Sequence, residues 1–381
     1  MERVKSTFSG KAILIPIISV FFGFLLGAIV MLIFGYNPIA GYQSMLSSAL
    51  SRPIFLGETL NNATPLIFTA LGFAVANSAG FFNIGLSGQA LLGWMISVWT
   101  AFVFSELPAI LLIPLCVFAG ALAGAIGAAI PGALRAFFGT SEVITTIMLN
   151  YIYLYLSQAF LRGAFADEWM STIDSTVIVP SHASFRLEFL TELTQNSRLN
   201  LAFFLALIFL VIIWFVMKKT TTGFEIRAVG MNPNAAEYAG ISSKRTIILS
   251  MSISGALAGL GGVALGLGTF QNYFSQTSSL DIGFNGLAVS LLGNGSAIGI
   301  LLASLLFAIL QNGAAGMQAL TIPAEISQIV AASIIFFVGA NYLIRLLLDK
   351  LTKEHTKVAL EAAQVNQAIA PESNEEGGED K

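Results

Sequence analysis

Apolar residues run along this chain in long stretches, and polar residues gather in the gaps between them. A membrane-spanning helix needs about 20 mostly apolar residues. Nine stretches reach or approach that length: 12–34, 59–80, 88–104, 109–131, 141–161, 199–217, 246–268, 297–314 and 323–348. A shorter one covers 284–293. At about 1.5 Å per residue it spans roughly 15 Å, half of the bilayer core, so its ends need protein or a water-filled cavity around them. The pattern predicts an all-α integral membrane protein of about ten transmembrane helices, with a helix broken near 284–297.

Lys and Arg gather in the cytoplasmic loops of membrane proteins, which tests the count independently. With ten segments and an inside N-terminus, 14 of the 18 fall inside: Arg3, Lys5, Lys11, Arg135, Lys218, Lys219, Arg227, Lys244, Arg245, Arg345, Lys350, Lys353, Lys357 and Lys381. Only Arg52, Arg162, Arg186 and Arg198 fall outside. Fusing 284–293 with 297–314 would put the basic C-terminal region outside, so ten segments with both termini cytoplasmic is the better count. Residues 1–350 then form the transmembrane domain, with an external loop at 162–198 and a cytoplasmic loop at 218–245. Residues 351–381 end in Glu375, Glu376, Glu379 and Asp380 and read as a solvated, disordered cytoplasmic tail.

Composition narrows the chemistry. Hydrophobic residues make up 56% of the chain and charged residues 10%, against roughly 25% charged in a soluble domain, so a globular reading fails. The net charge of −3 offers no surface for nucleic acid. Cys116 is the sole cysteine and lies in an apolar run, which excludes an internal disulfide and a cysteine metal site. His182 and His355 lie outside the apolar spans, so a membrane-embedded enzyme lacks converging catalytic groups. Arg3, Lys5 and Lys11 ahead of 12–34 resemble the start of a signal peptide, but the run is too long and Gly35-Tyr36-Asn37-Pro38 has no cleavage pattern. It reads as a retained first helix.

The string Ile84-Gly85-Leu86-Ser87-Gly88-Gln89-Ala90 returns as Ile282-Gly283-Phe284-Asn285-Gly286-Leu287-Ala288. In the ten-segment count one copy enters from the cytoplasm and the other from outside, as inverted repeats do. A repeat of this kind marks broken helices, and Asn83, Ser87, Gln89 and Asn285 become candidate pathway residues. The glycines alone would equally serve close helix packing, as expected for Gly120/Gly124 and Gly255/Gly259. In 141–161, Glu142, Thr146, Asn150, Tyr153 and Ser157 fall on one helical face. Such a stripe looks into the bundle or a cavity, where Thr146, Asn150 and Tyr153 either meet a solute or bind neighbouring helices. Asn62 and Thr69 form a weaker pair, and Glu142 is placed to cap the cytoplasmic end.

In the cytoplasmic loop, Asn232-Pro233 starts a short helix through Ala235, Ala236, Glu237 and Tyr238 that Gly240 ends. The loop sequence Gly223-Phe224-Glu225-Ile226-Arg227-Ala228-Val229-Gly230 precedes it. These segments, with Gly80 to Gln89 and Ser141 to Tyr151, resemble the permease family for simple sugars, branched-chain amino acids and nucleosides, with wording nearest the bacterial guanosine-type nucleoside branch. Many members of that branch carry Glu where this chain has Ser87, which argues against an ionic role there.

The resemblance covers residues 10–350 or so and implies an ATP-binding-cassette importer permease in a bacterial cell membrane. It implies that ATP and Mg are bound by a cytoplasmic ATPase pair and not by this chain. A second, similar permease as heterodimer partner and an extracellular substrate-binding lipoprotein complete the expected assembly. Gly223, Glu225, Arg227, Asn232, Ala235, Ala236, Glu237, Tyr238 and Gly240 would form the coupling segment. The only Gly-Lys pair, Gly10-Lys11, is followed by Ala12, so the chain carries no phosphate-binding loop of its own. A sugar or branched-chain amino acid is the alternative solute, and an ion-coupled secondary transporter is the alternative class.

Overall fold

The computed structural model describes residues 2–340 and consists of helices, with one short strand pair. Eight helices are long and apolar enough to cross a membrane: α1 (Glu2–Ile33), α3 (Pro53–Ser78), α4 (Leu86–Val103), α5 (Ala109–Phe138), α6 (Glu142–Ala164), α8 (Leu201–Lys219), α11 (Ser243–Val263, continued by a π turn to Thr269) and α13 (Ala297–Ala319). The chain is thus a multi-pass membrane protein. The ten expected segments are not all full-length spans. Two of them, α12 (Asp281–Leu292) and α14 (Glu325–Gly339), are shorter apolar helices. Residues 351–381, read as the tail, lie outside the described residues, as does the end of the 323–348 span.

Burial sorts the helices into two shells. Most of α3, α4 and α11 is buried, whereas α1, α5, α6 and α8 bury only one face. The outer helices turn Phe118, Ile126, Tyr155, Ile208 and Val211 outward, where lipid is the only good solvent.

Small residues set the spacing of α5 and α11. Gly120, Gly124 and Ala128 recur every fourth position and bring α5 onto Gly255 and Gly259 of α11. A Cβ on Gly259 would sit 2.5 Å from the carbonyl oxygen of Gly120. The expected glycine pairs therefore do pack helix on helix. Around this centre, α3 packs on α12 and α4 on α11.

Several elements escape the hydropathy pattern. Helix α2 (Pro38–Leu50) starts on Asn37, whose Oδ1 accepts from Ile39 N and Ala40 N, and Pro38 occupies its first turn. The 162–198 segment holds an antiparallel pair, β1 (Met170–Thr172) and β2 (Ser175–Thr176), and the short helix α7 (Glu188–Leu193). The 218–245 segment contains two helices where one was expected: α9 (Thr221–Met231) and α10 (Pro233–Tyr238).

The packing predicts that Gly259→Val, which forces a side chain into the α5 backbone, destabilises the protein by about 1–3 kcal/mol. A thermal melt in detergent should register it as a lowered Tm. Gly163→Val, with nothing within 4 Å, should leave the melt unchanged.

Candidate functional site

Two helix breaks lead into the contact between α4 and α12. Helix α3 stops at Ser78, Gly80 turns the chain with φ of +82°, and residues 79–85 run irregularly to α4. On the other side α11 widens into the π turn Ala264–Thr269, and residues 270–280 lead irregularly into α12. The aromatic side chains brace that second lead. Trp94 stacks on Phe270 at 5.2 Å and donates Nε1–H to Asn272 O at 2.8 Å.

The N-termini of α4 and α12 meet. Ser87 Oγ donates to Leu280 O at 2.7 Å, and a Cβ on Gly283 would lie 2.5 Å from Ser87 N. Thr69 of α3 donates to Ile282 O at 3.0 Å, and Gly286 lies against the same threonine. The two copies of the repeated string thus sit at two helix starts and touch. Their registers differ, because the first copy straddles the start of α4 and the second lies wholly inside α12.

Most of the polar residues singled out from the sequence lie around the start of α4, where they hydrogen-bond one another or nearby backbone. Asn83 donates from Nδ2 to Gln89 Oε1 and to Ser254 Oγ, both at 2.9 Å. Its Oδ1 accepts from Gly85 N at 2.9 Å and from Gln89 Nε2 at 3.2 Å. Asn150 accepts from Gly88 N at 2.9 Å and donates to Ile84 O at 3.0 Å, so it closes both the helix start and the break before it. Tyr153 OH donates to Gly127 O at 2.7 Å, and Thr146 Oγ1 donates to Glu142 O at 2.7 Å.

Asn83, Ser87, Gln89, Thr146, Asn150, Tyr153 and Ser157 are all buried. The expected stripe therefore faces the bundle. In this conformation it is an internal network with no open face. Glu142 lies at the end of α6 with Arg135 at 3.5 Å.

Asn285 does not join this network. It is half-buried and lines a cavity of about 420 Å³ between α12, α13 and α14, together with Asp281, Phe284, Gln311 and Gln328. Gln311 and Gln328 escaped the sequence reading. Their signal was the presence of amides inside the spans 297–314 and 323–348. The α12 start is capped by no side chain, and Asp281 and Ile282 of its first turn line the cavity. Three amides, one carboxylate and an exposed phenyl ring suit a neutral solute with hydroxyls and a planar ring. Among the described residues, no three His, Cys, Asp or Glu side chains come together to hold a metal.

At one end of the bundle a second polar cluster ties the π turn in place. Asn61, and not the expected Asn62, is the buried amide of α3; it accepts from Asn200 Nδ2 at 2.9 Å and Thr269 Oγ1 at 3.2 Å. Arg186 donates to Thr269 O at 2.7 Å. Burial holds its guanidinium below the ordinary pKa, the Arg198 charge adds to that, and Glu58 opposes it.

At the opposite, basic end, Gly223 packs on the α8 backbone and Ala236 is buried. Asn232 Oδ1 caps α10 by accepting from Asn234 N and Ala235 N at 3.0 and 3.1 Å, and Gly240 ends it at φ of +84°. Glu237, Tyr238 and Met231 project outward, with Tyr238 96% exposed. Glu225 is half-buried, and Arg227 lines a cavity beside α8.

Residues 55–339 match the family model described as branched-chain amino acid transport system / permease component. The nucleoside ABC transporter permease protein NupB of Lactococcus lactis is 54% identical over 342 residues, covering 89% of this chain and 94% of that protein. The guanosine ABC transporter permease protein NupP of Bacillus subtilis is 40% identical over 343 residues, covering 90% and 97%. A glucose ABC transporter permease protein of Haloferax volcanii is 32% identical over 334 residues, covering 84% and 86%. No solved structure matches the chain. With the family model spanning most of the bundle and these relatives aligned nearly end to end, the chain belongs to this permease family and is a non-catalytic, membrane-spanning subunit of an ATP-binding-cassette importer.

Proposed function

We propose that this permease imports nucleosides across a bacterial inner membrane by alternating access. The observation that carries the reading is the open cavity of Asp281, Asn285, Gln311 and Gln328 in a bundle whose Asn83, Gln89 and Asn150 amides are already paired. Amides and a carboxylate with no partner among the described residues are costly against lipid, so this face meets water, solute or a second permease. Its volume of about 420 Å³ is within the usual ~300–1,000 Å³ of small-molecule sites. The amides pair with base edges and ribose hydroxyls, and Phe284 offers a ring for a base to stack on.

The relatives' names support the solute class, nucleoside at 54% and guanosine at 40% identity. A sugar is the second reading, supported by the glucose permease at 32%. A hydroxyl-lined solute without a base would leave Phe284 unused.

In this proposal the chain crosses the membrane ten times, counting α12 and α14, with both termini cytoplasmic and the 162–198 segment outside. The solute enters from that side, released by a binding lipoprotein. A second, related permease completes the cavity. A cytoplasmic ATPase pair, which holds the ATP and Mg, grips α9 and α10 through Glu225, Glu237 and Tyr238. Nucleotide-driven movement of those helices parts the network of Asn83, Ser87, Gln89 and Asn150, and the route opens inward.

Guanosine uptake by the whole importer in proteoliposomes tests the solute. It should require ATP, be competed by adenosine and resist ribose, glucose and leucine. Competition by ribose alone would replace the nucleoside reading with the sugar one. Gln328→Leu and Asn285→Leu should each raise the KM for guanosine about fivefold to tenfold, the worth of roughly one hydrogen bond.

The coupling surface has its own test. Tyr238→Asp leaves every described internal contact in place because the side chain is 96% exposed. Its melt should match the wild type, while ATP-driven uptake falls at least about tenfold, as for a lost interface anchor. Unchanged uptake would remove α10 from the coupling surface.

A further inference from the structure

Beside the coupling helices lies a cavity that the transport route does not use. It holds about 350 Å³ between α3, α8, α9 and the turn that joins α12 to α13. Leu71, Ile213 and Ile298 form its apolar floor, and Lys218 and Arg227 stand among its walls. Neither cation makes an ion pair with a described residue, although Arg135, Arg162 and Arg198 all do. Trp214 also lines it, one turn before Lys218 on the same face of α8.

These features describe a particular kind of ligand. Trp and Lys within one helical turn mark the boundary between hydrocarbon and water. Ile298 and Trp214 are exposed, at 75% and 43%, so the apolar floor opens at the protein surface, where a lipid chain can reach it. The two cations line the same cavity as that floor. A guanidinium and an ammonium together match a phosphodiester, the first through its planar fork and the second as a point charge. A soluble phosphate would satisfy the cations yet leave the apolar floor uncovered.

We propose that this cavity binds one anionic phospholipid, with its head group between Lys218 of α8 and Arg227 of α9 and its acyl chain against α3 and α13. The bound lipid fastens α9, and α10 after it, to the core of the bundle. Lipid charge thereby becomes a part of the joint between the loop helices and the membrane domain. This assignment stands apart from the nature of the solute.

The test uses the assembled importer in nanodiscs of phosphatidylcholine doped with brominated phosphatidylglycerol, or with brominated phosphatidylcholine at the same mole fraction. Bromine quenches tryptophan at contact, and the difference between the wild type and Trp214→Phe isolates the signal of Trp214. Brominated phosphatidylglycerol should quench Trp214 at a far lower mole fraction than brominated phosphatidylcholine. Lys218→Gln and Arg227→Gln should each weaken that preference about fivefold, and Arg227→Lys should retain part of it. Lys219→Gln, outside the cavity, should leave it unchanged.

Equal quenching by both lipids would overturn the proposal without any variant. So would an equal loss in Lys219→Gln, which would mean general surface charge. Loss of the preference on adding millimolar inorganic phosphate would mean a free-phosphate site and would overturn the lipid assignment.

Discussion

Amide and backbone groups at membrane depth need hydrogen-bond partners that hydrocarbon cannot supply, and the arrangement of this protein follows from how it meets that need. Two helices begin inside the bundle. A helix start exposes unpaired N–H groups, so α4 is surrounded by side-chain acceptors: Asn83 serves Gly85, and Asn150 serves Gly88. The carbonyls freed at the break are met in turn, Ile84 O by Asn150. Across the contact Ser87 serves Leu280 O and Thr69 serves Ile282 O. Glycine is required where the starts touch, because any Cβ on Gly283 would strike Ser87.

Against that closed set, the groups left open gain meaning. Asn285 stands at the same position of its repeat as Ser87 does in the first copy, yet it faces a cavity and not the interior network. The difference follows from helix packing. The start of α4 is enclosed by α6, α11 and α12, whereas α12 has α14 and α13 on its far side with a cavity between them. One half of the repeated element is therefore sealed and the other open, an asymmetry suited to a permease that binds solute at one face before passing it on.

Much of this was legible in the sequence because lipid imposes a simple rule on composition. The long apolar runs located all eight long helices, and the face of α6 carrying Thr146, Asn150 and Tyr153 was read correctly as inward. Asn232 and Gly240 bounded α10 as their capping chemistry requires. What escaped notice has physical reasons. Helix α2 and helix α9 mix small, polar and apolar residues without a hydropathy signal, and their helicity rests on Asn37, Pro38 and Thr220 at their starts. Asn61 and Asn62 are adjacent, and only the rotation of α3 decides which is buried. Gln311 and Gln328 are 17 positions apart, and nothing in the order of residues brings α13 and α14 together around them.

The central claim is that amides at the α4 start are sealed within the protein while those facing the α12–α14 cavity meet water. Single cysteines at Ser87 and Asn285, in a Cys116→Ala background, separate the two directly when a membrane-impermeant thiol reagent is added outside the assembled importer at rest. The account predicts rapid labelling at position 285 and none at position 87 until ATP is supplied. Equal labelling at both positions, or an inert position 285, would contradict it.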